Sequence, residues 1–181
     1  MANLVDRLLT AFDIVLREPW TTSLSGKERM WFLVYDPAEQ RKIELRLGDF
    51  EAVAVKAGKR WIEISVKNVF PIWMANHEYR DEYFMDPDGF VDQLEAEFKN
   101  YAINHCIKEL NKLGTDNNTL IVLKDVSSLF GFVRLSSVLD GIANSFNGRV
   151  LVFFPGEYEK NSYRLLDARD GWSYLARPII A

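Results

Sequence analysis

The chain has 181 residues, of which 48% are hydrophobic and 13% aromatic, and its formal net charge is −4. This length suits one sizeable core and is short for two, and the composition is that of a packed globular domain rather than a disordered chain. A net negative charge gives no bulk attraction to nucleic acid or to an anionic membrane, so we expect neither as a direct partner.

The sequence also predicts a cytoplasmic protein. Its single cysteine, Cys106, cannot form an internal disulfide. The N-terminal stretch carries Asp6, Asp13 and Glu18 within its apolar pattern, which is unlike a signal peptide. No apolar run approaches the roughly 18 residues that a membrane-spanning helix needs.

Charge is distributed unevenly along the chain. Residues 78–97, here called the acidic segment, contain eight acids and one base, Arg80. The segment therefore carries −7, and the remaining residues sum to +3. It is either the solvated surface of a loop and helix or an acidic docking patch for a basic partner. We name Glu78, Asp81 and Glu82 as its candidate contact residues.

Hydrophobic periodicity predicts alternating helices and strands in the first half of the chain. The expected elements are a helix at 4–16, a strand at 30–35, a helix from 37 to about 58 with a break near Gly48, a strand at 59–66 and a short helix at 68–74. Asp36 and Pro37 read as the N-cap and first residue of the second helix.

The second half continues the same alternation. The expected elements are a helix from the turn at 86–89 to Gly114, a strand at 119–123, a helix at 135–146, a strand at 149–154 and two short strands at 162–167 and 172–179. Pro155 and Gly156 are expected to end the 149–154 strand, because proline cannot donate to the ladder and glycine accepts a turn. Residues 157–161 would then form an exposed connection.

Strands that are apolar throughout and separated by helices indicate a mainly parallel sheet covered on both faces. We therefore predict one α/β domain over residues 1–181, with three layers and a P-loop-NTPase-like or Rossmann-like scaffold. A Walker A loop is missing from it. Gly26-Lys27 is the only Gly-Lys pair, it precedes the first strand, and Thr21 and Glu28 stand where the motif needs glycine and Ser or Thr.

Other catalytic chemistries have equally little support in the sequence. The turn after the first strand has no glycine, and its Asp36 and Glu39 would repel a phosphate. Asp125 follows the third strand, where P-loop enzymes hold magnesium, but capping of backbone amides explains it as well. With two histidines in the chain, a zinc site is hard to complete, and no metal or cofactor is expected.

Two enzyme alternatives remain open at the carboxyl ends of the strands. Asp125, Glu157 and Asp167 could meet there as the carboxylates of a metal-dependent nuclease. A degenerate nucleotide hydrolase could instead use Asp125 and Glu157 with Arg164, since ligands of open α/β sheets bind at this edge. A regulator that binds a small ligand in the same crevice is a third alternative.

Four short motifs stand in the last third of the chain. They are Leu129-Phe130-Gly131, Arg134-Leu135-Ser136-Ser137, Phe154-Pro155-Gly156-Glu157-Tyr158 and Tyr163-Arg164-Leu165-Leu166. In order and spacing they resemble the BrxB family, the small component of bacterial BREX phage-defence systems, over about residues 118–180. Two positions depart from the family pattern: Asp125 replaces a glycine, and Gly131 stands where the family has proline.

The resemblance implies a non-catalytic component of a phage-restriction complex, and no catalytic residues come with it. The companion it implies is the alkaline-phosphatase-like PglZ protein, beside an ATPase, a DNA methyltransferase and other large subunits. We therefore expect an interaction subunit that docks onto PglZ. Besides the acidic segment, the candidate docking residues are Pro155, Gly156, Glu157, Tyr158 and Arg164.

Overall fold

The computed structural model of the protein describes residues 3–168 and 171–181. The strands are β1 (Met30–Tyr35), β2 (Arg60–Ser65), β3 (Thr119–Lys124), β4 (Arg149–Glu159), β5 (Ser162–Leu165) and β6 (Arg177–Ile179). The α-helices are α1 (Leu4–Leu16), α2 (Gln40–Leu45), α3 (Leu47–Lys56), α4 (Val69–Ala75), α5 (Arg80–Met85), α6 (Val91–Gln93), α7 (Lys99–Leu113) and α8 (Leu135–Ile142). A π-helical turn, Leu94–Phe98, joins α6 to α7.

The sheet has the strand order β2-β3-β4-β1-β6, and all neighbours in this row are parallel. Counting these five strands alone, the order is 5-1-4-3-2 from the β6 edge. It differs from the 3-2-1-4-5-6 order of the dinucleotide-binding fold. The remaining strand, β5, pairs antiparallel with the far end of β4.

Helices cover both faces of the sheet, which confirms the three-layer α/β prediction. On one face, β-strand residues such as Phe32 and Val152 pack against α4, α7 and α8. On the other, alternate residues such as Leu33 and Leu151 pack against α1 and α3, whose Phe50 is fully buried. Alternate side chains point to opposite faces of a strand, and burial on both faces explains why β1 and residues 120–123 of β3 are apolar.

Most of the predicted elements of the first half are confirmed. The first helix spans Leu4–Leu16, and its N-cap Asn3 accepts a hydrogen bond from the backbone of Asp6 at 3.0 Å. The second helical region does break, but at Arg46 rather than near Gly48. Gly58 follows α3 with a φ of +76°, a conformation that favours glycine at a helix end.

The predicted end of the 149–154 strand is wrong. β4 continues through Pro155 and Gly156 to Glu159, and both residues are buried. At this point the strand changes partners: Pro155 lies opposite Tyr35 of β1, and Gly156 lies opposite Leu165 of β5. The missing N–H of proline is tolerated because the pairing of β4 with β3 ends at Val152, which leaves one side of the strand open.

The exposed connection predicted at 157–161 is therefore mostly a β-hairpin. Glu159 pairs with Ser162, so only Lys160 and Asn161 form the loop. Their φ angles of 51° and 62° are both left-handed, as a two-residue type I′ turn requires. The strand predicted at 172–179 is also shorter than expected, with β6 at Arg177–Ile179 and a single bridge between Trp172 and Tyr163.

Candidate functional site

A groove of about 630 Å³ lies where three distant parts of the chain meet: residues 91–95, residues 130–136 and the end of β5 with the segment after it. We call it the α8 groove, because the start of α8 forms part of its wall. Its lining is mainly apolar and includes Val91, Leu94, Phe130, Phe132, Leu165 and Trp172. Val91 and Phe130 are 54% and 39% exposed, so apolar surface faces solvent there.

The turn before α8 shapes one wall of the groove. The carbonyl of Leu129 accepts hydrogen bonds from the backbone N–H groups of Phe132 and Val133, both at 3.1 Å. Gly131 has a φ of +81°, which a residue with a Cβ rarely adopts. The glycine that replaces the proline of the resembling motif thus permits the turn. After it, extended backbone at Arg134 leads into α8.

The start of the π-helical turn Leu94–Phe98 forms another part of the wall. An extra residue in a helical turn re-aims the side chains around it, and such turns are frequent at functional sites. Here Leu94 is buried and lines the groove, while Glu95 is exposed on its rim. The acidic segment therefore reaches the groove through α6 and this turn.

Aromatic packing supports Phe132, one of the residues that line the groove. The rings of Phe70 and Phe132 stack with centroids 3.8 Å apart, and Phe98 meets Phe70 edge-on at 5.2 Å. Tyr83 of α5 also packs against Phe70, with ring centroids 5.9 Å apart. The groove and α5 consequently share one aromatic support.

The predicted contact residues of the acidic segment are exposed. Asp81 contacts Arg80 at 3.2 Å, whereas no ion pair reaches Glu78 or Glu82 from the part of the chain that the structure describes. Exposed carboxylates without internal partners keep their charge for an external cation. Their role in partner binding stays a prediction.

The other predicted contact residues lie on the β4–β5 hairpin. Pro155 and Gly156 are buried strand residues of β4 and expose little surface to a partner. Both residues shape the hairpin, and their role in partner binding stays a prediction. Glu157 and Arg164 are exposed, face each other across the strands and form an ion pair.

Tyr158 is half-buried rather than presented on a loop. Its ring packs against Tyr163 with centroids 4.6 Å apart, and its hydroxyl donates to Asn161 at 3.0 Å. Much of its surface is therefore used by the hairpin itself. Glu157, Tyr158 and Arg164 remain predicted contact residues on the hairpin.

A second cavity, of about 390 Å³, lies at the carboxyl ends of the strands and includes Tyr35, Ser65, Lys124 and Asp125 in its lining. We call it the strand-end crevice. Asp125 has a φ of +64°, an uncommon conformation for a residue with a side chain. Its carboxylate accepts a hydrogen bond from Ser65, which ties β3 to the neighbouring strand.

The polar groups of the crevice are largely satisfied within the protein. The hydroxyl of Tyr35 donates to Gln40 at 2.6 Å, and burial raises the pKa of this tyrosine. Lys124 donates to Glu63 at 2.5 Å. Burial favours the protonated form of Glu63, but its hydrogen bonds from Lys124 and Trp61 outweigh this and lower the pKa of the carboxyl.

The backbone N–H groups after β1 are not free to bind a phosphate either. Asp36 accepts hydrogen bonds from the backbone N–H groups of Ala38 and Glu39, through its carboxylate and its carbonyl respectively, both at 2.8 Å. The amides that a phosphate loop would offer are thus already bonded.

The structure does not assemble the carboxylates of the nuclease hypothesis. Within residues 3–168 and 171–181, no three His, Cys, Asp or Glu side chains group as metal ligands, so Asp125, Glu157 and Asp167 do not meet in such a cluster.

Cys106 is fully buried, and burial raises the pKa of its thiol to about 12. His105 is half-buried, with Nε2 3.3 Å from the carbonyl oxygen of Ser65.

Comparison with known proteins assigns this chain to a family. The sequence model of the family described as BREX protein BrxB matches residues 73–177, more than half of the chain. The chain belongs to the BrxB family. It is therefore a component of a BREX system, as its motifs suggested. No curated protein and no solved structure matches the chain.

The BrxB match covers the whole α8 groove. Every part of the chain that lines the groove falls within residues 73–177, as do α5 and the hairpin. Most of the crevice lining, including Tyr35 and Ser65, precedes the match. The groove is thus the cavity whose lining lies wholly within the family match.

Among the residues that the structure describes, none of the helices combines the length and the apolar character of a membrane-spanning segment.

Proposed function

We propose that this BrxB protein is a non-catalytic interaction subunit of an antiviral BREX complex, and that it docks onto the PglZ-type protein of the same system through the α8 groove. The observation that carries the proposal is that this groove, with solvent-facing Val91 and Phe130, is built from the family-matched part of the chain. A cytoplasmic complex is part of the proposal.

Physical chemistry favours protein rather than a small substrate as the occupant. The groove offers exposed apolar side chains, and such surfaces gain free energy when a partner covers them. Phe130 lies beside Gly131 and Phe132 on a turn fixed by backbone hydrogen bonds, so the apolar surface is preformed. A preformed surface loses little conformational entropy on binding.

Copurification tests this docking model. We expect tagged wild-type protein to retain the PglZ-type protein, and the double variant Val91→Asp/Phe130→Asp to retain at least about tenfold less. Both substitutions place a charge in an apolar contact, where it would be buried without a partner. The readout is the amount of PglZ-type protein that coelutes.

Ile14→Asp is the matched control, because Ile14 is an apolar residue of α1 that is 61% exposed and lies outside the family match. It should leave coelution unchanged. Tyr158→Ala, and the double reversal Asp81→Lys/Glu82→Lys, test the hairpin and the acidic segment as further contacts. Undiminished coelution of a folded Val91→Asp/Phe130→Asp variant would contradict docking through the groove.

The strand-end crevice supports a second candidate function, a degenerate nucleotide hydrolase or small-ligand sensor. The observation in its favour is the left-handed backbone of Asp125 at the carboxyl end of β3, since strained residues cluster at active sites. Against it, Asp125, Lys124 and the amides after β1 are all engaged in internal hydrogen bonds. Glu157 and Arg164 pair with each other on the hairpin and are not part of the crevice lining.

Thermal unfolding distinguishes this candidate from the docking subunit. We expect the Tm to stay unchanged when ATP and Mg²⁺ are added, because the crevice offers no free phosphate cradle. A ligand present at a hundred times its Kd would add about 2.7 kcal/mol to the free energy of unfolding. An ATP-dependent rise in Tm that Asp125→Asn removes would favour the hydrolase instead.

A further inference from the structure

Helix α5 exposes large apolar side chains although it belongs to a strongly acidic part of the chain. None of its six residues is buried, and Phe84 and Met85 are 68% and 88% exposed. Tyr79, just before the helix, and Val91, the first residue of α6, are 46% and 54% exposed. We call Tyr79, Phe84, Met85 and Val91 the α5 patch. Apolar side chains exposed together in this way mark interaction sites.

Aromatic contacts link the α5 patch to the α8 groove, beginning with the Phe84 ring, which lies 5.5 Å from Tyr83. Val91 belongs to both, because it also lines the groove. Behind them, Tyr83 packs on Phe70, and Phe70 stacks on Phe132 of the groove. Patch and groove therefore rest on the same aromatic support and can be covered by one partner element.

Carboxylates surround this apolar surface. The acidic segment has eight acids, and two of them have internal partners: Asp81 pairs with Arg80, and Glu97 lies 3.2 Å from Nε2 of His77. The others have no ion pair within the described residues, and all are exposed; they are Glu78, Glu82, Asp86, Asp88, Asp92 and Glu95. A partner that covered the patch without cations would bring these charges out of water unpaired.

We propose that the α5 patch and the α8 groove together bind an amphipathic helix rich in Lys and Arg, carried by a partner protein. A helix presents an apolar stripe with flanking charges on one side, which matches apolar side chains interspersed with carboxylates. Its apolar residues cover Phe84 and Met85 and enter the groove beside Val91. Its basic residues pair with the surrounding acids. That a partner exists rests on the proposed function; its chemistry rests on this surface.

The same charges argue against the other occupants. Nucleic acid and anionic membranes are repelled by a segment of charge −7. A second copy in a symmetric dimer would place two such surfaces against each other, since an isologous interface uses the same patch twice.

A designed peptide that takes the place of the partner's helix tests the proposal. The probe is a labelled helical peptide of about 18 residues, with Leu at i, i+3, i+4 and i+7 spacing and Lys elsewhere. Two controls have Glu in place of Lys, or the same composition in scrambled order. We expect the Leu/Lys peptide to raise the fluorescence anisotropy with a Kd at least about tenfold below either control, and to bind more weakly at high salt.

Variants of the protein locate the binding site. Phe84→Asp, and the triple reversal Asp86→Lys/Asp88→Lys/Asp92→Lys, should each weaken the Leu/Lys peptide at least about tenfold. Glu51→Lys, an exposed charge reversal on α3, should leave it unchanged.

Equal binding of the Leu/Lys peptide to the Phe84→Asp and Glu51→Lys variants would overturn the proposal. So would an apparent mass that doubles with concentration and falls back in the triple reversal, because it would identify a second copy as the occupant. Coelution of the PglZ-type protein that persists while the Leu/Lys peptide does not bind would remove this inference alone and leave the docking function standing.

Discussion

Replacing Gly156 with alanine is expected to lower the free energy of unfolding by about 2–4 kcal/mol. Gly156 is where β4 leaves β1 and begins to pair with β5, opposite Leu165. A Cβ at this position would overlap the carbonyl oxygen of Arg164 and come within 2.9 Å of the Phe154 ring. The overlapping atom belongs to the backbone of the paired strand, so only movement of the hairpin can relieve it. Urea unfolding followed by circular dichroism measures the loss.

The matched control is Gly48→Ala on α3. No atom lies within 4 Å of a Cβ built there. Alanine should therefore raise the free energy of unfolding by about 0.5–1 kcal/mol, because glycine loses more backbone entropy in a helix. A Gly156→Ala variant that is as stable as the wild type would show that the Arg164 carbonyl of β5 does not lie this close to Gly156.

The hairpin also shows where sequence reasoning ends. The buried strands β1 and β3 follow from their apolar runs, and α1 from its periodicity, because each signal is local. Pro155 and Gly156 gave an equally local signal for a chain reversal. Their true role depends on β3 ending its pairing at Val152, which local sequence does not encode.

The α8 groove was beyond local sequence signals for the same reason. Its walls come from residues 91–95, 130–136 and the end of β5, and only the fold brings them together. The motif resemblance pointed to Phe130 and Leu165 but not to the cavity between them. One available signal was missed: Phe84 and Met85 interrupt the acidic segment, and apolar side chains in a solvated run need a reason to be there.

For Asp125, the sequence predicts the position of the residue but not the hydrogen bond that it makes. Its position after β3 was expected, and aspartate is among the side chains that tolerate left-handed backbone. Its partner was not predictable. Ser65 ends β2, and the two meet because β2 and β3 are parallel neighbours in the sheet.

Phe32→Ala should be the more damaging core substitution, with a loss of about 3–5 kcal/mol in the free energy of unfolding. Phe32 is fully buried in β1 and packs on four aromatic rings, with centroids 4.6–5.9 Å away. These rings are Phe154, Tyr163, Trp172 and Tyr174. One side chain thus joins the sheet to the hairpin and to the chain that leads to β6.

This contact also explains why the family-matched part of the chain depends on the rest. Residues 73–177 contain the four ring partners but not Phe32, and β1 lies between β4 and β6 in the sheet. Removing the ring leaves a cavity on the hairpin side of the sheet, so local opening of β5 should precede global unfolding. Hydrogen exchange at the backbone of Tyr163 and Leu165 would detect this, and unchanged protection there would contradict it.

Phe84→Ala completes the comparison, because it removes the same side chain from an exposed site. With Phe84 68% exposed, the free energy of unfolding should change by no more than about 0.5 kcal/mol. Binding of the Leu/Lys peptide should nevertheless weaken, since the patch loses a ring that the peptide would cover. A Phe84→Ala variant as destabilised as Phe32→Ala would mean that α5 packs into the core and has no free apolar face. If Phe32→Ala lowers the free energy of unfolding and Phe84→Ala lowers only peptide binding, then Phe32 stabilises the fold and Phe84 belongs to the binding surface.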